Sequence, residues 1–281
     1  MRVFRSLFYF VVFQFIVSSF SPLRAARVLF DHSTWDQFLK KYVNEKGEMD
    51  FKSAKADLSL LEDYEKQLAH LPSSEEGNSW PREEMIAIYL NAYHVGVVRG
   101  ILSVYPVPSI QQIPGFWENH FIQIVDEYLS LDQIRRDLIA TVKDEKIHLA
   151  LWTGAKSSPR LRQEAFTGPQ VEGQLFLAAR EFVKSPQFVQ IDPAKNKIIL
   201  SRIFKWYGED FELDFATVED QGEFTRTEFA VLSFLAHYLE EGEKINFLEE
   251  GRYKIKYNDY DWSLNEWIQE KSQNSASPAS N

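Results

Sequence analysis

Apolar residues along this chain recur mostly with the period of an α-helix, and short alternating runs lie between the helical segments. After Ser33, a residue suited to a helix N-cap, the spacing predicts a first helix over Ser33–Tyr42. The same periodicity predicts further helices over residues 53–69, 81–104, 131–142, 170–183, 202–206 and 225–240. Alternation predicts two hairpins, formed by residues 121–125 with 127–129 and 189–191 with 197–200, and strands at 147–152 and 252–257.

The segment at 81–104 differs from the other predicted helices because it is apolar nearly all round. Pro81 favours the first helical position, and Glu83 and Glu84 suit the positive end of the helix dipole. A helix without a polar face is expected in the interior of a protein. We therefore predict an α+β fold, with a helix-rich single domain over residues 33–267, a long buried central helix and short antiparallel strands and hairpins.

Both ends of the chain fall outside this predicted domain. Residues 1–25 have the pattern of a signal peptide, with a basic start, an apolar run at 6–20 and a small-residue exit ending at Ala25. The apolar run is shorter than the about 20 residues that cross a bilayer, so we predict cleavage and export, periplasmic or secreted. An uncleaved membrane anchor is the alternative. The small, polar residues of 272–281 predict a disordered tail.

Composition narrows the class of protein. The chain has no cysteine, which excludes disulfides, thiol chemistry and lipid attachment through cysteine. The formal net charge is −10, and residues 1–25 hold three arginines and no acid, so the exported chain would stand near −13. Such a charge repels nucleic acid and anionic lipid, and we expect a monomer that binds no nucleic acid and does not insert stably into a membrane. The six histidines show no ligand spacing, so we expect no metal and no cofactor.

The stretch at 147–161 carries the clearest candidate chemistry. His148 stands among apolar residues, and Ser157 and Ser158 follow it just before Pro159. A histidine in this setting can act as a general base, and a serine hydroxyl can act as a nucleophile when such a base is within reach. The same residues suit a hydrogen-bonded core histidine and a serine-rich turn, and no G-x-S-x-G elbow surrounds the serines. The sequence leaves open whether a reaction is catalysed.

The central helix carries polar residues that need partners. Glu84 and Asn91 lie two turns apart on one helical face, and a buried amide either ties down loop backbone or lines a pocket. We expect a polar pocket between this helix and the 147–161 stretch, which binds a small polar molecule or a peptide. Its predicted ligand-binding residues are Glu84, Asn91, Tyr93, His148 and Ser157.

Aromatic residues form a further cluster near the end of the chain. They are Phe204, Trp206, Tyr207, Phe211, Tyr260 and Trp262. They can line a ligand groove, but aromatic side chains in such clusters are more commonly part of the core.

Five segments occur together in a characteristic order, at residues 84–93, 130–134, 147–161, 203–207 and 260–265. In this order and spacing the chain resembles the family known as domain of unknown function 547 (DUF547), over roughly residues 35–265. The family includes exported bacterial proteins and C-terminal domains of plant proteins. The resemblance implies a fold unit and supplies no mechanism.

The match to the family pattern is close at some positions and absent at others. Matching residues are Glu84, Ala87, Asn91 and Tyr93 in the helix, Ile147, His148, Ala150 and Leu151 in the following motif, and Ser157, Ser158 and Pro159 in the turn. His94 replaces the second asparagine of the helix pattern. Thr153 and Ser158 stand where many bacterial relatives have cysteine, and Arg135-Arg136 stands where many have a Glu-His pair. The resemblance therefore implies that this chain lacks any thiol or Glu-His chemistry of its relatives.

Three functional hypotheses follow from the sequence. The first is an exported binding protein with a polar pocket. The second is a hydrolase or transferase with His148 as base and Ser157 or Ser158 as nucleophile or oxyanion donor. The third is a structural or interaction module in which the same polar residues hold the core together.

Overall fold

The described part of the chain is mainly helical, with five short strands. The computed structural model describes residues 29–72, 80–216, 224–239 and 242–268. The predicted signal peptide and the predicted tail lie outside the described residues. The helices are α1 Ser33–Tyr42, α2 Phe51–Ala56, α3 Ser59–Ala69, α4 Arg82–Val104, α5 Leu131–Val142, α6 Val171–Lys184, α7 Arg202–Trp206, α8 Glu212–Phe215, α9 Arg226–Tyr238 and α10 Glu243–Glu250. The prediction of an α+β fold is confirmed, whereas the single domain over residues 33–267 stays a prediction.

Helix α4 is the central helix that the sequence predicts. It packs against α3, α5, α6 and the first strand, and 83% of its most apolar window is buried inside the protein. In the part of the chain that the structure describes, it is also the helix whose length and composition would suit a membrane span. Because its neighbours cover it, its apolar surface is accounted for by the core of the fold.

The strands form two small sheets. Strands β1 Phe121–Ile124 and β2 Glu127–Ser130 make the expected antiparallel hairpin. Strands β3 Val189–Asp192 and β4 Lys197–Leu200 make a second one. Strand β5 Lys254–Tyr257 joins the edge of β4 in parallel, so this three-stranded sheet is mixed.

Two clusters of buried apolar side chains make up the core. One surrounds α4 and includes side chains of α1, α3 and α5. The other includes side chains of α6, α9 and the three-stranded sheet. Ile147 and Ala150 belong to the first cluster, whereas Leu149 belongs to the second. The segment around His148 therefore lies where the two clusters meet.

The predicted strand at 147–152 is wrong. Residues Glu145–Leu149 form a 3-10 helical turn, and Asp144 caps it by accepting the backbone N–H of Lys146 at 2.9 Å. The hydrogen bonds of this turn are local, such as the one from the Ala150 N–H to the Ile147 carbonyl at 3.1 Å. A short apolar run does not distinguish a strand from a buried helical turn, because both bury every side chain.

The predicted helix at 53–69 is two helices, α2 and α3. Asp57 separates them in an extended conformation, and its carboxylate accepts the hydroxyl proton of Ser59 at 2.7 Å. The same carboxylate binds the Lys41 ammonium at 2.9 Å. Aspartate competes with helical hydrogen bonding in this way, which explains the break.

Candidate functional site

A pocket of about 390 Å³ opens between the middle of α4, the turn at Glu145–Leu149 and the segments around α7 and residues 260–262. Its aromatic lining consists of Tyr93, Trp117, Trp206, Tyr207, Tyr260 and Trp262, and its polar lining includes Glu118, Asp132, Arg135, His148 and Thr153. We call this cavity the aromatic pocket. Its size and its few polar groups in an apolar lining are typical of small-ligand sites.

His148 is held by two contacts in the wall of this pocket. Its Nε2 lies 2.7 Å from the Oδ2 of Asp210, and its ring stacks on Tyr207 with the centroids 4.1 Å apart. A carboxylate only accepts, so Nε2 carries the hydrogen and Nδ1 is the basic nitrogen. Burial lowers the pKa of the His148 imidazole below its ordinary value, although the hydrogen bond to Asp210 acts in the opposite direction. The ring is therefore neutral at neutral pH.

Arg135 brings a cation to the pocket. Its Nη2 donates to the Asp132 carboxylate at 2.7 Å, and its Nη1 donates to the Tyr207 hydroxyl at 3.3 Å. The arginine is thus fixed by α5 on one side and by the ring that stacks on His148 on the other. Burial raises the pKa of the Tyr93 phenol, so this side chain stays protonated.

An aromatic wall closes another side of the pocket. The rings of Tyr260 and Trp262 lie 4.4 Å apart, and Trp206 lies 4.9 Å from Tyr260. Trp206 is 45% exposed. The hydroxyl of Tyr260 lies 3.1 Å from that of Thr153. An exposed indole next to fixed polar groups offers a flat apolar face with hydrogen-bonding partners at its edge.

Glu84 and Asn91 lie elsewhere, in a buried polar network. The amide of Asn91 donates to the Phe166 carbonyl at 2.8 Å and accepts the Phe166 N–H at 3.0 Å. The Oε1 of Glu84 lies 3.3 Å from the Nε2 of His32, whose Nδ1 lies 2.7 Å from the Tyr64 hydroxyl. This network ties α4 to the segment before α1 and to the loop before α6.

Helix geometry explains why these residues are separated from Tyr93. Glu84 and Asn91 are seven residues apart and share a face, as expected, but Tyr93 is only two residues beyond Asn91 and points to the opposite side. Of the five predicted ligand-binding residues, Tyr93 and His148 line the aromatic pocket. The expectation that Glu84 and Asn91 face His148 was wrong.

Ser157 and Ser158 are engaged away from His148. The Ser157 hydroxyl accepts the Asp261 N–H at 2.9 Å and lines a separate cavity of about 170 Å³. The Ser158 hydroxyl is buried and donates to the Ala155 carbonyl at 2.7 Å. Within the described residues, neither hydroxyl is hydrogen-bonded to His148, so the geometry offers the histidine no serine nucleophile.

Two further residues of the pocket, Arg135 and Trp206, and Asp210, which binds His148, differ in how far the sequence could reveal them. The Arg135 position is visible in the sequence as a departure from the family pattern. Trp206 belongs to the aromatic cluster, whose members Phe204 and Phe211 are fully buried in the core. Asp210 could not be found, because 62 residues separate it from His148 and no motif surrounds it.

Residues 78–183 match the family model described as "Protein of unknown function, DUF547". This match confirms the predicted resemblance to the DUF547 family over these residues. The match includes the motif segments at 84–93, 130–134 and 147–161, whereas those at 203–207 and 260–265 lie outside it. No curated protein and no solved structure matches the chain.

The aromatic pocket includes two positions at which the chain departs from the pattern of the family that it resembles. Arg135 and Thr153 both line it, together with His148, which matches the pattern. Asp210, which holds His148, comes from beyond the matched residues. Among the described residues no three histidine or acidic side chains gather as a metal site.

His94, another departure, joins α4 to the segment after His148. Its Nε2 lies 3.1 Å from the Ala150 carbonyl oxygen and 3.2 Å from the Trp152 backbone nitrogen. Burial lowers the pKa of His94 from 6.5 to about 4. As the pH falls below 6.5, the unfolded chain takes up a proton that the folded protein refuses until about pH 4.

We predict that His94→Asn reduces the loss of stability in acid. An asparagine amide donates and accepts hydrogen bonds but does not titrate. Between pH 7 and pH 5 the unfolding free energy of the variant should therefore fall by about 2 kcal/mol less than that of wild type. Urea unfolding at the two pH values measures it. The exposed His70→Asn is the control and should behave like wild type. An equal fall in His94→Asn and wild type would contradict the assignment.

Proposed function

We propose that this chain is an exported binding protein whose aromatic pocket takes one small polar molecule or part of a peptide. The observation that carries the proposal is the exposed face of Trp206 beside the fixed side chains of Arg135 and His148 in one cavity. A ligand that covers the exposed indole removes its apolar surface from water, which favours binding. The fixed polar side chains then determine the orientation of that ligand.

The geometry supports a ligand with one flat face and polar groups at its edge. The flat face stacks on the Trp206–Tyr260–Trp262 wall. The polar edge meets Arg135, whose guanidinium is already paired with Asp132, and the Thr153 and Tyr260 hydroxyls. Since Asp132 balances the arginine, a neutral polar ligand suits the pocket better than a strongly charged one.

Export and the monomeric state belong to the same proposal. The basic start and apolar run of residues 1–25 support export. A formal charge near −13 for the remaining chain supports a soluble protein that avoids nucleic acid and anionic membrane surfaces.

We predict that Trp206→Ala weakens binding in the aromatic pocket. A panel of neutral disaccharides and of short peptides is titrated into wild type and the variant by isothermal titration calorimetry, which does not depend on the fluorescence of Trp206. Loss of the stacking face should raise the Kd of any hit about tenfold or more. The melting temperature should change little, because Trp206 is half exposed.

Phe176→Ala is the matched control, because this α6 side chain has a similar exposure of 42% and lies outside the pocket lining. It should leave the Kd unchanged. A hit that Trp206→Ala and Phe176→Ala bind equally well would place the site elsewhere.

The His148–Asp210 pair favours a second candidate, an enzyme that uses His148 as a general base. The carboxylate fixes one tautomer, and the lowered pKa keeps the imidazole unprotonated at neutral pH, so that it can accept a proton. In such an enzyme the nucleophile would be water or a substrate hydroxyl, because the hydroxyls of Ser157 and Ser158 are engaged by backbone groups away from His148.

For the enzyme we predict that His148→Gln lowers turnover of the bound ligand at least about 100-fold while its Kd changes little. Product analysis of wild type with each hit from the titration measures turnover. If wild type returns every hit unchanged after prolonged incubation, the enzyme candidate fails and the binding protein stands.

A further inference from the structure

A second concave surface carries a charge opposite to that of the chain as a whole. It is a groove of about 700 Å³ between α6, the turn at residues 44–48 and residues 156–162. We call it the basic groove. Its cationic lining residues are Lys46, Lys156, Arg160, Arg162, Arg180 and Lys184, against two acidic ones, Glu48 and Glu181. Glu181 and Glu164 balance part of the charge of Arg160 and Arg162, but the cations of the lining still exceed its acidic residues. In a chain of formal net charge −10, this local excess of positive charge favours an anion.

Two arginines of the groove are held in place by a shared carboxylate. The Oε1 of Glu181 accepts from Arg162 at 3.1 Å, and its Oε2 lies 3.7 Å from the Nη1 of Arg160. Arg162 also donates to Glu164 at 2.9 and 2.8 Å, and Arg160 donates to the Glu45 carbonyl. Fixed guanidinium groups lose less conformational entropy when a ligand binds, which favours affinity.

The turn that carries Lys46 is pressed against one of these arginines. Gly47 has a φ of +79°, and a Cβ there would lie 2.4 Å from the Cγ of Arg160 and 2.9 Å from the Leu161 carbonyl oxygen. Only glycine permits this approach. The close packing fixes the backbone of the turn that carries Lys46, and Lys46 lines the groove.

The floor of the groove is aliphatic where it is open. Leu177 is 41% exposed, whereas Phe182 and Phe188 are buried and offer little ring surface. A ligand therefore meets cations at the rim and one exposed leucine on the floor. That combination suits carboxylates that flank an aliphatic side chain.

We propose that the basic groove binds an acidic peptide segment of a partner protein, with aspartate or glutamate side chains at the cationic rim and an aliphatic side chain over Leu177. Carbohydrates prefer exposed aromatic faces, which the described lining of this groove does not present. A flat anionic membrane cannot enter a concave groove, and the acidic remainder of the chain repels it. The proposal is independent of the aromatic pocket and of its ligand.

The test is the binding of a short fluorescein-labelled peptide of alternating glutamate and leucine, followed by fluorescence polarisation. Wild type should bind it, and the Kd should rise with ionic strength because the rim charges are exposed. The double variant Lys46→Glu/Lys156→Glu should raise the Kd about tenfold or more. Both lysines are exposed, so folding should be retained, which circular dichroism checks.

Lys244→Glu/Lys254→Glu is the matched control, since it changes the net charge equally at exposed positions outside the groove lining. It should keep the Kd within about twofold, as expected for distant surface charges. A peptide with glutamine in place of glutamate should not bind. The proposal is overturned if wild type ignores the acidic peptide, if both double variants weaken binding equally, or if an oligogalacturonate binds the groove and the peptide does not.

Discussion

The fold depends on polar groups buried along a helix that is otherwise apolar. Asn91 and His94 of α4 lie in the core, where an unpaired amide or imidazole would cost about 1–3 kcal/mol. Each side chain meets this requirement by binding backbone that belongs to no helix or strand. Asn91 holds Phe166 through both of its amide groups, and His94 contacts the chain at Ala150 and Trp152. The helix therefore fixes the irregular stretch between α5 and α6.

That stretch in turn positions both concave surfaces. Its first part sets His148 against Tyr207 and Asp210 in the aromatic pocket. Its later part carries Arg160 and Arg162 into the basic groove. Between these two parts, the hydroxyls of Ser157 and Ser158 form hydrogen bonds with backbone groups and stabilise the turn. One buried set of hydrogen bonds thus supports two sites of different chemistry, one aromatic and near neutral, the other aliphatic and cationic.

Local signals predicted much of the fold. Helices α1 and α4 and the hairpins follow from periodicity, and the Ser130–Gln133 capping box begins α5 where expected. The prediction of a strand at 147–152 failed because the side chains of this segment belong to two clusters, which neither a helical nor a strand pattern reveals. For the site, Tyr93 and His148 could be predicted. Asp210 could not be predicted, because it lies in a turn that is distant in sequence from its partner His148. The basic groove could not be predicted either, because its cationic residues are dispersed along three segments of the chain.

The most direct test of this account is the hydrogen exchange rate of the Phe166 backbone amide, measured by NMR in the native protein. This amide lies outside every helix and strand, and its partner is the Asn91 side chain at 3.0 Å. If buried polar groups of α4 fix the stretch, the Phe166 amide should exchange as slowly as the core amides of α4, which open only on global unfolding. Exchange as fast as that of the amide of Glu45, an exposed residue in a turn, would contradict the account.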